Sequence, residues 1–402
     1  MLHVITWEEA KARLLGRLEP LAETERVTLT DALGRTLVQE VRASEDIPSG
    51  DRSMVDGYAV RAADTNGASE AIPALLICVG EVAMGENPTL SLQQGQCFRI
   101  WTGGFLPQGA DAAVMIEHTE PLGDGTICVS RPAAPGSHLV FRGDEMGRDQ
   151  VMLAAGTMLG SCEIGTLAAM GVTELTVRRR PVVGILSTGD ELVEPSESPK
   201  PGQMRDVNRP MLRACVTQAG GLVLDFGIRL DSWDGLRDCL SEAVERCDMV
   251  VMSGGTSAGA RDYAPSIFSE LGELLWHGLA VKPGKPTLSA MVQGKPVLGL
   301  PGHPAAACMI WQLLGLPAVD ALLGRTRPDL SRKAVLTEPV SANDGRAQLL
   351  PVRLEGERAV PIRSKSGIIS QLLWADGFVV IDRNREGVAA GKAVTVHGFY
   401  GR

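Results

Sequence analysis

The chain has 402 residues, a net charge of −9 and no run of five or more basic residues; it is long enough for several domains and a large core, and its bulk charge argues against a nucleic-acid or membrane-surface partner. Its start, MLHVITWEEAKARLL, lacks the charged, apolar and small-residue parts of a signal peptide, and no apolar run approaches the ~20 residues that span a bilayer. The eight cysteines (Cys78, Cys97, Cys128, Cys162, Cys215, Cys239, Cys247 and Cys308) show no CxxC or zinc spacing and read as reduced residues of a cytoplasmic protein, while the six dispersed histidines argue against a histidine-built metal site.

Thr6-Trp7-Glu8-Glu9 is a capping-box pattern, and Trp7, Ala10, Leu14, Leu15 and Leu18 predict an amphipathic helix over roughly 7–18. Residues 27–43 read as a short helix and an extended segment. From 45 to 137, short apolar runs (AIPALLICVG, GQCFRIWTG, DAAVMIEH, GTICVS) alternate with Gly, Pro and Asp clusters, the texture of a β-rich domain. A mixed pattern returns over 138–178, with a helix in SCEIGTLAAMG. The β-rich region therefore reads as an insertion into a discontinuous first domain made of 1–44 and 138–178. Arg178-Arg179-Arg180-Pro181 reads as a solvated junction. Residues 179–328 alternate continuous apolar strands with amphipathic helices, which implies a parallel sheet covered on both faces. The strands are VVGILS, GLVLDFGIRL, DMVVMSGG, LAVKPG and PVLGL; the last helix is the long PAAACMIWQLLGLPAVDALL. Residues 329–402 return to strands (KAVLTEP, AQLLPVRLEG, ERAVPIR, GFVVIDRN, AVTVHGF) and form a small C-terminal β domain. The fold class is multidomain α/β.

The chemistry concentrates at the C-terminal ends of the α/β strands, the edge where open sheets bind anionic ligands. Ser253-Gly254-Gly255-Thr256-Ser257-Ala258-Gly259 is either a phosphate cradle, with glycines admitting close backbone approach, or a glycine-rich turn. Ser187-Thr188-Gly189-Asp190-Glu191 ends another strand in two carboxylates, suited to a metal or to an N-cap. Asp206 and Asn208 precede a helix, where Asn208 suits an N-cap ahead of Pro210. Asp231 follows a strand, and Asp262 follows the glycine loop. Asp190, Asp231 and Asp262 offer the oxygen ligands Mg²⁺ prefers. Lys282 and Lys285 bracket Pro283-Gly284 on a stiffened loop; they are anion ligands or surface lysines beside a turn. Asp56 and Thr102, from the β-rich half, are site residues or turn residues.

Taken together, SMVDGYAV (53–60), RIWTGGFLPQGADAAVMIE (99–117), GILSTGDEL (184–192), RDVNRPML (205–212), VVMSGGTSAGARDY (250–263), VKPGKP (281–286), LPGHP (300–304), SKSG (364–367) and ADG (375–377) resemble the MoeA/gephyrin E-domain family, the molybdopterin molybdenumtransferases, over essentially the whole chain. The resemblance implies a four-domain homodimer that ligates molybdate to the dithiolene of adenylylated molybdopterin, uses Mg²⁺, and releases AMP and molybdenum cofactor. It implies a contact with the adenylyltransferase of the same pathway. It assigns active-site roles to Asp56, Thr102, Glu191, Asp231, Asp262, Lys282 and Lys285, pterin-binding roles to the glycine loops and to Pro301, Gly302, His303 and Pro304, and anion binding to Arg346 and Ser366.

Three departures from the family pattern stand out. Asp144-Glu145 replaces Glu-Asp after Gly143, so the carboxylate reaching the cleft is a longer Glu145 or a shifted Asp144. His303 replaces an asparagine, and Ala306 replaces a serine near the molybdate site. The alternatives to an insertase are a non-catalytic molybdopterin-binding carrier or scaffold and a molybdopterin adenylyltransferase.

Overall fold

In the computed structural model, which describes residues 4–89, 91–256, 263–342, 345–363 and 365–400, the apolar runs after Pro181 build a six-stranded sheet. Its strands are β1 (Val182–Thr188), β2 (Leu222–Arg229), β3 (Met249–Ser253), β4 (Glu273–His277), β5 (Leu288–Val292) and β6 (Lys295–Leu300), in the order β2-β1-β3-β6-β5-β4. β2, β1, β3 and β6 are parallel. All five β3 residues are buried, as a strand covered on both faces requires. Helix α1 (Asn208–Gln218) connects β1 to β2, and α2 (Trp233–Arg246) connects β2 to β3. The two helices cover opposite faces, because successive β1 residues point to opposite sides: Ile185 packs with Leu212 and Val216 of α1, Leu186 with Leu236 and Leu240 of α2. The chain thus leaves β1 toward β2 and returns to β3 on its other side. That reversal makes the C-terminal ends of β1 and β3 a topological switch point, where a ligand crevice opens.

Two strands of the sheet escape the sequence reading. β4 and β5 run antiparallel to their neighbours, and β5 turns into β6 through Gln293-Gly294, both at positive φ, as a two-residue hairpin of this hand demands. The expected LAVKPG strand shrinks to Val281–Lys282 and leaves this sheet. It pairs in parallel with Ala347–Gln348 of the C-terminal domain. The long last helix is also interrupted: Pro304–Ile310 (α3) passes through a π turn, Trp311–Gly315, into Leu316–Leu323 (α4). Pro317 explains the widening, since it has no N–H and its ring clashes with the carbonyl one turn back. This corrects the expectation that no apolar run approaches the length of a membrane span: Pro304–Leu323, at 20 residues, is apolar and long enough to cross one, yet 78% of its most apolar window is buried; Trp311, Leu314 and Ala318 sit in the main core.

The C-terminal strands close into a barrel. Arg332–Leu336 (β7), Ala347–Glu355 (β8), Arg358–Pro361 (β9), Gly377–Ile381 (β10) and Ala393–Gly398 (β11) pair as β8-β9-β7-β11-β10 and back to β8, around Leu350, Val352, Val379 and Val396.

The chain divides into two units. The first holds the elements above with residues 1–38, 156–160 and 174–402; the second is 39–155 with 161–173. Within the second, the predicted β-rich texture becomes a six-stranded sheet. Its order is Ala112–Met115, Gly57–Val60, Gln96–Ile100, Ala74–Val82, Thr126–Val129, Thr119–Pro121, over a core of Tyr58, Val60, Leu76, Cys97 and Val114.

The basic junction is an anchor and not a solvated linker. Arg179 donates from both terminal nitrogens to Asp248 (2.8 and 2.9 Å), and the Val182 N–H donates to the same carboxylate at 2.7 Å. Two forked hydrogen bonds hold a planar guanidinium in one geometry, which fixes the entry to β1 beside the entry to β3. Burial works to raise the Asp248 pKa, but the Arg179 fork and the Val182 N–H prevail and hold it below the usual carboxylate value. A depressed folded-state pKa contributes stability that is present above the unfolded value and is lost as pH falls through the folded one. Asp248→Asn should therefore lower the melting temperature at pH 7 and flatten the acid side of the stability profile. A melting series from pH 7 to pH 3 checks this; parallel profiles for both proteins would refute the assignment.

Candidate functional site

The switch point opens into a cleft of about 1910 Å³. One wall comes from the strand ends. Ser187 and Thr188 close β1, and Ser253 closes β3 in register with Ser187. Gly254 follows at φ +95° and Gly255 at φ +58°. A Cβ on Gly254 would lie 2.2 Å from the Thr188 carbonyl oxygen, so only glycine lets the two loops touch. Gly302, after β6, lies against Gly254; a Cβ on Gly302 would stand 3.8 Å from the Gly254 Cα. Three backbone loops thus form one surface, which a phosphate can approach closely. The structure describes the glycine loop as far as Thr256; Ser257, Gly259 and Asp262 lie outside the described residues.

Asn208 ties these loops together and does not cap its helix, as the sequence left open. Its amide donates to Ser253 Oγ (2.6 Å) and to the Gly302 carbonyl (2.8 Å). The capping role falls to Asp206, which accepts the Arg209 N–H at 3.1 Å and pairs with its guanidinium at 3.1 Å. Arg209 also pairs with Asp225 at 3.0 Å and with Glu194. Burial opposes its charge, but these carboxylates keep its pKa above the ordinary value. Sequence reasoning missed Arg209, since its partners are scattered over three elements. Ser187 Oγ and Asn208 Oδ1, buried atoms on two cleft-lining residues, have no hydrogen-bond partner among the described residues. Native buried polar groups are normally satisfied, and a polar ligand in this cleft would satisfy these.

The acidic groups gather where β1 and β2 end. Glu191 lines the cleft, folded back over Gly189, whose added Cβ would meet its Oε2 at 2.9 Å. Asp231 also lines the cleft and accepts the Thr188 hydroxyl. Asp190 is exposed and outside the cleft lining, and its Oδ1 accepts the Asp231 N–H at 3.1 Å. Among the described residues, no three His, Cys, Asp or Glu residues cluster closely enough to hold a metal ion. Asp231 on the cleft lining, with Asp190 bonded to its N–H, still suits Mg²⁺, which takes one or two carboxylates with substrate phosphates and waters.

The cleft lining also carries a set of cations. Lys282 pairs with Gln348, two residues along from Arg346, and Lys282 and Arg346 line the cleft with Lys285, Arg363 and Lys365. Of these, Arg363 and Lys365 were not among the predicted site residues; Arg363 ion-pairs with Glu338 at 3.3 Å. Pro301, His303 and Pro304 complete the rim with Ser366, whose hydroxyl lies 2.9 Å from His303 Nδ1. Ala306 lines the cleft at 1% exposure. Met309, Leu349, Leu372 and Ile362 supply an apolar floor.

Asp56, Thr102, Asp144 and Glu145 belong to the second unit. Thr102 donates both its N–H and its hydroxyl to Asp56 Oδ1, each at 2.8 Å; these bonds, the backbone one foremost, hold the Asp56 carboxyl below its usual range. Asp144 Oδ2 accepts the Phe141 N–H at 2.8 Å, closing a turn, while the Glu145 side chain is exposed.

A doubly wound α/β domain with a glycine cradle and several cations lining one cleft defines a protein suited to phosphorylated and oxyanionic ligands. The comparisons agree and are more specific. Residues 5–171 match the MoeA N-terminal region (domain I and II), 184–321 a probable molybdopterin binding domain, and 333–399 the MoeA C-terminal region (domain IV). A Bacillus subtilis protein named molybdopterin molybdenumtransferase is 31% identical, over 96% of this chain and 92% of its own length. One of that name from Nostoc is 36% identical, over 77% of this chain and 72% of its own. The crystal structure of a molybdopterin biosynthesis MoeA protein from Pyrococcus horikoshii matches with TM-score 0.88 at 31% identity, covering 98% of this chain and all of that one. The chain belongs to the MoeA family of molybdopterin molybdenumtransferases.

Proposed function

We infer that this chain transfers molybdate onto the dithiolene of adenylylated molybdopterin, with cleavage of the adenylate to release AMP. The observation that carries the reading is the one cleft that a glycine cradle lines together with Lys282, Lys285 and Arg346. The cradle of Ser253, Gly254, Gly255 and Thr256 would hold the pterin's terminal phosphate, and the apolar floor its ring system. The lysines and Arg346 would hold the molybdate oxygens and offset charge as the phosphoanhydride opens. Water attacks one anhydride phosphorus and the bridging P–O bond breaks, leaving AMP and the pterin monophosphate; the two dithiolene thiols form the two Mo–S bonds as one molybdate oxygen leaves with their protons as water, with molybdenum unchanged in oxidation state.

Asp190 and Asp231, with Asp262, would hold Mg²⁺, which when bound neutralises phosphate charge. Asp231→Asn should then raise the Mg²⁺ concentration for half-maximal rate by about tenfold or more, the effect of losing one carboxylate ligand. A Mg²⁺ titration of AMP release checks this, and an unchanged requirement would remove Asp231 from the metal site.

The division at 44, 137, 178 and 328 into four domains, the homodimer, the cytoplasmic location and the adenylyltransferase contact belong to the same reading. The active-site roles of Asp56, Thr102, Asp144 and Glu145 belong to it as well.

The test is AMP release from adenylylated molybdopterin with Mg²⁺, with and without molybdate. Molybdate-stimulated release that yields active cofactor supports the transferase. Tight pterin binding without it makes the chain a carrier, and ATP-dependent adenylation of molybdopterin makes it the adenylyltransferase.

A further inference from the structure

The second unit holds an aromatic surface that the cleft chemistry leaves unused. Tyr58, Arg99 and Glu81 stand opposite one another on three neighbouring strands, so they share one face of that sheet. The Arg99 guanidinium stacks on two rings, 5.1 Å from the Tyr58 centroid and 4.7 Å from that of Trp101. The Trp101 Nε1–H donates to Glu81 Oε1 at 2.6 Å. One face and the polar edge of the indole are thus engaged, and the 36% of Trp101 that stays exposed falls on the other face. Gly57 pairs with Ile100, so Asp56 comes level with Trp101. Both Thr102 donors fall on Asp56 Oδ1, which leaves Oδ2 to accept. Those bonds, with the Arg99 charge behind them, hold the carboxyl below its usual range, so at neutral pH it accepts and never donates. Met84 and Ile116 are exposed as well. The Met84 Cε would lie 3.8 Å from a Cβ on Gly103, and the Ile116 N–H donates to the Asp56 carbonyl at 2.9 Å.

We propose that Trp101 and Asp56 form a binding site for a flat aminoheterocycle, its ring stacked on the outer face of the indole and its exocyclic amino group donating to Asp56 Oδ2. Stacking accepts any π-face, so it supplies affinity without selectivity. The anchored indole loses little freedom when a ring settles on it. The carboxylate supplies the selectivity: it accepts from an N–H and repels a carbonyl oxygen, so an amino ring is preferred over its oxo counterpart. The proposal rests on the molybdenumtransferase reading for the source of the ligand, since adenine and the pterin are the two aminoheterocycles of that reaction. The site itself lies wholly within the second unit.

Titration calorimetry of the full chain with two matched pairs of probes tests this: adenosine against inosine, and pterin against lumazine. Each pair differs by one amino-to-oxo exchange, and none of the four carries a phosphate for the glycine cradle to hold. The amino member of one pair should bind about tenfold tighter or more, the range for a hydrogen bond to a charged group, and the pair that shows it identifies adenine or pterin as the ligand. Asp56→Asn, whose amide can also donate, should remove most of that preference. Trp101→Ala should weaken both members alike by about tenfold, the loss of one stacked ring, and Trp101→Phe should restore most of it. Melting curves control for folding, and Asp56→Asn and Trp101→Phe carry the test where the alanine variant unfolds. Equal binding within both pairs by the wild type, a preference that survives Asp56→Asn, or affinity unchanged in a folded Trp101→Ala protein overturns the proposal. The transferase reading stands or falls separately, on molybdate-stimulated AMP release.

Discussion

Lys285→Ala should reduce molybdate-dependent AMP release by about two to three orders of magnitude, the range for removing one pre-organised charge from a transition state, with affinity for adenylylated molybdopterin changed only a few-fold. The reason is the rigidity of the loop that carries it. Gly284 sits at φ +119°, and a Cβ there would lie 2.5 Å from Ile310 Cδ1, so the loop rests directly on α3. The Thr287 hydroxyl donates to the Gly284 carbonyl at 2.7 Å, and the Lys285 carbonyl accepts the Leu279 N–H at 2.9 Å. With the main chain fixed on both sides, the ammonium loses little freedom when it engages an anion. The glycine cradle belongs to a different loop and keeps its own contact with Thr188, which is why pterin affinity should survive. Single-turnover AMP release and a separate pterin titration measure the two effects; equal losses in both would contradict an oxyanion role for Lys285.

The α/β domain was legible because β1 and β3 are buried on both faces and stand as apolar runs between amphipathic helices. Its site was legible for the same reason: in such a sheet the loops after the strands are where ligands bind, so Thr188, Ser253 and Gly254 can be placed from sequence alone. What sequence pattern could not reveal is pairing between distant segments. Lys282 and Arg346 line one cleft because two residues of an expected sheet strand join the barrel instead. Asn208 has the composition and position of a cap, and only the tertiary approach of Ser253 and Gly302 turns it into a tie between loops. Arg179 looked like linker charge until Asp248, at the entry to another strand, supplied its fork partner. The π turn before Leu316 follows from Pro317, yet an apolar run this uniform conceals it. In the second unit, Asp56 and Thr102 come together through the pairing of Gly57 with Ile100, a register that no local motif specifies.

Gly254→Ala should abolish tight pterin binding and lower the melting temperature, while Gly255→Ala should do far less. At φ +95° an L-residue is strained by about 1–3 kcal/mol, and the added methyl would stand 2.2 Å from the Thr188 carbonyl oxygen, a backbone atom that cannot rotate aside. Relief requires β1 and β3 to part at their ends, which would pull Thr188 from Asp231 and Ser253 from Asn208. At Gly255, φ +58° is ordinary left-handed backbone, and the nearest atom, the Thr188 methyl at 3.0 Å, belongs to a side chain. The two neighbours therefore separate geometry of the cradle from loss of glycine as such. Thermal melts with pterin titrations of both variants make the comparison. Equal behaviour of the two, or a Gly254→Ala protein with native affinity, would mean that the close approach of the β1 and β3 loops does not form the phosphate site.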